Sequence, residues 1–318
     1  MTRPQTARTV ARWVRTVTLV VGVPSLLIAA WFAARDVRDV DQATWWALVP
    51  ALALSTASLW LQSRSWRALL PAGTDATAAD DAFFTSQLVK YSPVGGFAQA
   101  AAQAGLAVDG TTGAARATTA MAVSKLTMVV AAGCAGPVLA ATNPTLAPWL
   151  RVLLCCTPAA LALGHPAVLR SSLTLAGRVL RRQLDPTVLP DPGAVWRSIG
   201  WAVPAQALAG ASFAVLAVVT DPGVDPVQAA AGFVVAWAVG FLVIPVPAGL
   251  GIREAVIAVL VEGPPGTKLV AAVMLRLVVI AAEALLAAAV RVRAARRPTD
   301  RSDPGPTEPP EAPVGPTG

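Results

Sequence analysis

Histidine is almost missing from this chain: His165 is the only one in 318 residues. That leaves no histidine set for a zinc site and none to spare for general-base chemistry. Cysteine is scarce too. Cys134, Cys155 and Cys156 lie inside apolar runs, adjacent cysteines seldom pair with each other, and three make no disulfide framework. Charge is the third shortage, with 14% charged residues against 55% hydrophobic and a mean hydropathy of +0.60. A soluble domain of this length needs far more charge to cover its surface. Nowhere does the sequence gather Asp, Glu and His as acid–base catalysis requires, so the expectation is a protein that is not an enzyme and carries no cofactor or metal.

Apolar residues come in blocks close to the length that carries a helix across about 30 Å of hydrocarbon. After Arg3, Arg8, Arg12 and Arg15 comes a run from Val17 to Ala34. It is long for a secretory signal and ends in Trp31 and Phe32, which favours a retained first helix. Further spans are expected at 45–62, 117–141, 149–169, 198–219, 227–244 and 268–290. Tryptophans 13, 31, 45, 46, 60, 66, 149, 196 and 201 fall near span ends, where an indole buries its ring and keeps its N–H wet; Trp237 alone sits mid-span.

The net charge of +7 does not point to nucleic acid, because the basic residues lie between apolar blocks and not on a polar domain. They follow the positive-inside bias. The N-terminal tail, the stretch with Arg64, Arg67 and Arg116, the loop with Arg170, Arg178, Arg181, Arg182 and Arg197, and the end with Arg291, Arg293, Arg296 and Arg297 are expected in the cytoplasm. Opposite loops are poor in positive charge: 35–44 has three aspartates against two arginines, 142–148 is uncharged and 220–226 is rich in Asp and Pro. Both termini come out inside. Residues 171–184 read either as a basic helix on the inner leaflet or as an ordinary charged loop. The last 21 residues hold seven prolines and no apolar cluster, which predicts a disordered tail. The expected division is a cytoplasmic N-terminal tail over 1–15, a transmembrane domain over 16–293 and the Pro-rich tail over 294–318.

This orientation makes 227–244 and 268–290 both run inward, so the chain must return outward between them. Only a Pro/Gly break and a short apolar helix are available there. Residues 81–107 have the same character, interrupted at Pro93, Gly95 and Gly96. The expected fold is therefore all-α: a polytopic bundle of about eight spans with a broken or re-entrant helix in each half. Non-helical backbone at membrane depth is tolerated only where protein or a wet cavity satisfies its polar groups.

Two segments stand out, Lys90-Tyr91-Ser92-Pro93-Val94-Gly95-Gly96-Phe97 and Pro245-Val246-Pro247-Ala248-Gly249-Leu250-Gly251-Ile252-Arg253-Glu254-Ala255. Broken helices in the two halves of a transporter mark a midplane site, because a helix N-terminus leaves amides free for an anion such as phosphate. The plainer reading is a pair of kinks that aid packing. Lys125, Arg253, Glu254, Arg276 and Glu283 lie in or beside apolar spans, each costing about 3 kcal/mol at the bilayer centre, so they are expected to face a cavity or one another. Pairing of Arg253 or Arg276 with Glu283 is the structural alternative.

These motifs resemble the transmembrane, flippase-like domain of the lysylphosphatidylglycerol synthase family. The first resembles Lys90-Tyr91-x-Pro93-x-Gly95, the second Pro245-x-Pro247-x-Gly249-x-Gly251-x-Arg253-Glu254-Ala255, and a final span resembles the one with Arg276 and Glu283. The resemblance covers about residues 15–293. Gln103 stands where the family usually shows an arginine, and Ser124 before Lys125 where it shows a glutamate, so a different headgroup is implied. Nothing after Arg297 folds into the family's aminoacyl-transfer domain, which implies a stand-alone member.

The resemblance implies binding and translocation of a phospholipid or a polyprenyl-phosphate-linked lipid in a bacterial inner membrane. Lys90, Tyr91, Pro93, Gly95, Gly96, Gln103, Lys125, Pro245, Pro247, Gly249, Gly251, Arg253, Glu254, Arg276 and Glu283 would contact the headgroup. Membrane lipids are the expected partners. Two other readings stay open: a non-transporting scaffold for a cell-envelope glycosyltransferase, and a solute/proton symporter using Glu254 or Glu283.

Overall fold

The computed structural model describes residues 42–89, 99, 102–103, 105, 113–165, 168, 171, 189–242 and 252–295. In chain order these include α1 (Gln42–Arg67), α2 (Ala76–Val89), α3 (Ala114–Gly133), α4 (Ala135–Thr142), α5 (Pro148–Cys156), a 3-10 turn (Thr157–Gly164), α6 (Pro192–Thr220), α7 (Pro226–Leu242), α8 (Ile252–Leu260) and α9 (Pro265–Ala295). Every regular element among the described residues is helical.

Among the described residues three stretches are long and apolar enough to cross a membrane: Arg116–Thr142, Pro192–Thr220 and Pro265–Arg293. The expected first span, 17–34, lies outside the described residues. Helix α1 has 26 residues, about 39 Å, but spends them differently. Its hydroxyls lower its hydropathy and turn onto α6. Ser55 and Ser212 hydroxyls sit 2.9 Å apart, Ser58 donates to the Ala205 carbonyl at 2.7 Å, and Ser65 lies 2.8 Å from Ser198. Partner numbers fall along α6 as they rise along α1, so the two helices are antiparallel. Small hydroxylated residues let the backbones approach and glue them without a hydrophobic driving force, at about 0.6 kcal/mol per bond in lipid.

The expected span 117–141 is bent at Cys134, between α3 and α4. Pro137 explains the bend, since its ring clashes with the Gly133 carbonyl and supplies no N–H to it. Thr157 takes over that carbonyl, with its hydroxyl donating to Gly133 O at 2.5 Å. The expected span 149–169 is likewise interrupted, as α5 gives way to the 3-10 turn at Thr157-Pro158.

Helices α7, α8 and α9 run antiparallel in turn within the described residues. Gly240 lies against Arg253, Gly232 against Val261, and the Glu262 amide donates to Gln228 Oε1 at 2.9 Å. This falling register makes α8 antiparallel to α7. Contacts of Glu254 with Arg276 and of Ala258 with Lys268 make it antiparallel to α9 as well. At 9 residues, α8 covers about 13 Å, less than half a bilayer's hydrocarbon. A short apolar helix does return between two longer ones running the same way.

The bundle has two chemically different ends. One gathers the turns holding Asp221, Asp225 and Glu262. The other carries Arg64, Arg67, Arg116, Arg197, Arg291 and Arg293, and is packed around Trp66, Phe83, Ala117 and Val290. Trp45, Trp46, Trp60, Trp149, Trp196 and Trp201 are exposed, as span-end indoles should be, whereas Trp66 is wholly buried with its Nε1 unpartnered. The expectation of a wet N–H fails there because α2 folds back over it, placing Phe83 5.9 Å from the indole.

Candidate functional site

Helix α8 is held differently at its two ends. At the acidic end of the bundle Lys268 is buried and its ammonium donates to the carbonyls of Ala258 at 2.9 Å and Val261 at 2.6 Å. A cation on these carbonyls satisfies the groups a helix C-terminus leaves over and complements its dipole. Asn143 adds a bond from Nδ2 to the Leu260 carbonyl at 2.9 Å, and Gln228 bridges the Glu262 amide and the Thr142 carbonyl. Neither Lys268 nor these amides belonged to the expected site. A lysine at the start of an apolar helix was their only trace in the sequence.

The other end of α8 starts with Ile252, Arg253 and Glu254. Arg276 Nη2 donates to Glu254 Oε1 at 2.7 Å, and Arg253 Nη2 lies 3.8 Å from the same oxygen. The three side chains are 14–23% exposed, so this is a largely buried cluster. The Arg253 guanidinium also lies 5.7 Å from the centre of the Phe233 ring. Arg276 is eleven residues into α9, about 16 Å along it. That is near half the hydrocarbon thickness if the acidic end lies at one surface.

Arg276 pairs with Glu254 and not with Glu283, and the same Glu254 oxygen faces Arg253. Glu283 lies two turns further along α9 than Arg276 and is completely buried, between residues 282 and 287 that pack with α2. Seven-residue spacing put Arg276 and Glu283 on one face, but two turns of helix separate them along the axis by about 10 Å.

Gln103 is 1% exposed, and among the described residues neither its Oε1 nor its Nε2 has a hydrogen-bond partner. Lys125 is partly buried on α3, next to buried Ser124. Lys90, Tyr91, Pro93, Gly95, Gly96, Pro245, Pro247, Gly249 and Gly251 lie outside the described residues, as does most of 171–184. The structure therefore brings together Arg253, Glu254 and Arg276 from the expected set. No group of three or more His, Cys, Asp or Glu suited to a metal occurs among the described residues.

No protein-family model matches the chain, and no curated protein matches it. The family resemblance accordingly rests on the motifs quoted above.

Proposed function

We propose that this is an integral membrane protein that binds, and translocates, a lipid with a phosphate in its headgroup, either a phospholipid or a polyprenyl-phosphate-linked lipid. The observation that carries the reading is the start of α8: a short helix, flanked by longer ones, begins where two arginines face one carboxylate. Two cations against one anion leave this trio positive, and the first amides of α8 add the positive end of a helix dipole. Such a place attracts a phosphate. Glu254 keeps the arginines desolvated but compensated when no ligand is bound, and yields them to a phosphate when one arrives. The arginine-bearing end would face the cytoplasm of a bacterial plasma membrane. The similarity to the flippase-like domain of the lysylphosphatidylglycerol synthase family supports the same reading.

Reconstitution in vesicles with headgroup-labelled phospholipid tests it. Arg253→Ala and Arg276→Ala should each slow headgroup exposure at least tenfold. Translocation by both variants at the unsubstituted rate would remove the arginine cluster from the mechanism.

A further inference from the structure

A furrow runs along the outer face of the bundle between α1 and α9. Val49, Ala53, Ala57 and Trp60 line it from α1, and Leu285 and Leu286 from α9. The α1 residues have the spacing of one helical face, and the two alanines sit low among larger side chains, which makes that face concave. Its volume is about 660 Å³, within the range of about 300–1,000 Å³ that ligand sites occupy. Thr56 supplies the one hydroxyl, and it already donates to the Leu52 carbonyl at 2.7 Å. Apart from the Trp60 indole N–H at its end, nothing in the furrow asks for a polar ligand. From Val49 to Trp60 the helix rises about 16 Å, close to half the hydrocarbon thickness and so to the depth of one leaflet.

Beyond Trp60 the furrow meets charge. Arg64 follows one turn on along the same face, and its guanidinium lies over the indole, 4.4 Å from the ring centroid. Its Nε is buried, and the side chain makes no hydrogen bond or ion pair with the described residues. Arg67 differs, since its Nη1 sits 3.2 Å from Asp80 Oδ2. On the other wall Arg293 lies two turns past Leu286 in α9, at the same end of the bundle.

We propose that this furrow binds one acyl chain of an anionic phospholipid, with the lipid phosphate on Arg64. The site is separate from the cluster at the start of α8 and requires only that the bundle sits in a bilayer, whether or not it moves lipid. A guanidinium laid on an indole is desolvated on one side and fixed in plane, which suits it to a phosphate. A zwitterionic headgroup would bring an ammonium towards uncompensated arginines, while Asp80 is already held by Arg67. An anionic headgroup brings only charge of the complementary sign.

Photolabelling tests this with the full-length protein in phosphatidylcholine nanodiscs that carry phosphatidylglycerol with a diazirine in its acyl chain. Adducts mapped by peptide mass spectrometry should be at least fivefold denser on residues 49–60 and 285–286 than on exposed Leu153 of α5. Unlabelled phosphatidylglycerol should compete at least tenfold better than phosphatidylethanolamine. Arg64→Gln should cut the furrow adducts at least threefold. Ala57→Phe fills the furrow from an exposed position and should do the same without moving the unfolding midpoint. Arg276→Ala should leave the adducts within twofold, so loss of this site and loss of the α8 cluster are told apart. Adducts no denser in the furrow than at Leu153 would overturn the proposal, as would equal competition by the zwitterionic lipid. So would labelling unchanged in both furrow variants, or cysteine cross-links that seat residues 17–34 in the furrow.

Discussion

The seam between α1 and α6 and the carboxamide of Gln103 are both buried and both polar, yet they differ in one respect. Along the seam every named hydroxyl has an answer, Ser55 with Ser212, Ser58 with a carbonyl, and Ser65 with Ser198 and, through it, Thr127. Gln103 has none among the described residues. Polarity that is satisfied within the protein serves packing, since its alternative in lipid is an unpaired dipole. Polarity left unsatisfied costs stability and is a reason to look for what satisfies it.

Substitutions should separate the regions, and the largest effect is expected at neither of them but at the ion cluster. Glu254→Ala strands Arg253 and Arg276 without their shared carboxylate, which should destabilise the protein by about 3 kcal/mol. Thermal unfolding in nanodiscs reads it, and the triple variant Arg253→Met, Glu254→Gln and Arg276→Met should recover most of the loss because the buried charges are then gone. Lys268→Met removes the clamp on α8 and leaves carbonyls exposed to a dry environment, for an expected loss of about 2 kcal/mol. Hydrogen exchange should then show α8 amides opening ahead of α6. In the seam, Ser212→Ala should cost about 0.6 kcal/mol and leave lipid retention untouched. Gln103→Leu should sharpen the contrast from the other side, holding or raising the unfolding midpoint, since deleting an unanswered amide removes a desolvation penalty. If Gln103→Leu were the more destabilising of these last two, the glutamine would be structural and the comparison would break.

Sequence reasoning reached the helical membrane class from block lengths alone. It also reached the short return helix, because arginine placement made 227–244 and 268–290 run the same way. It found Arg253, Glu254 and Arg276 because charges stand out in apolar runs. It left the partner of Arg276 open between a cavity and Glu283, since helical phase says which residues share a face but not which helix meets that face at the same height. The Cys134 bend was latent in Pro137, three positions into the second helical piece. Gln103 was singled out in the sequence, but its burial without a partner was not legible there, because only tertiary packing decides whether an amide is answered. Trp66 was misread for the same reason: proximity to a span end does not tell whether another helix covers it.

Depth within the bilayer tests the arrangement most directly. With Cys134, Cys155 and Cys156 replaced, spin labels introduced at Ala255 and Val259, near the two ends of α8, can be ranked by collision with oxygen and with a water-soluble nickel complex. The label at Ala255 should lie deeper than that at Val259 by about 6 Å, close to the bilayer centre. A label at Ala255 sitting at headgroup level, shallower than Val259, would place the arginine cluster at the membrane surface and contradict a phosphate site within the bundle.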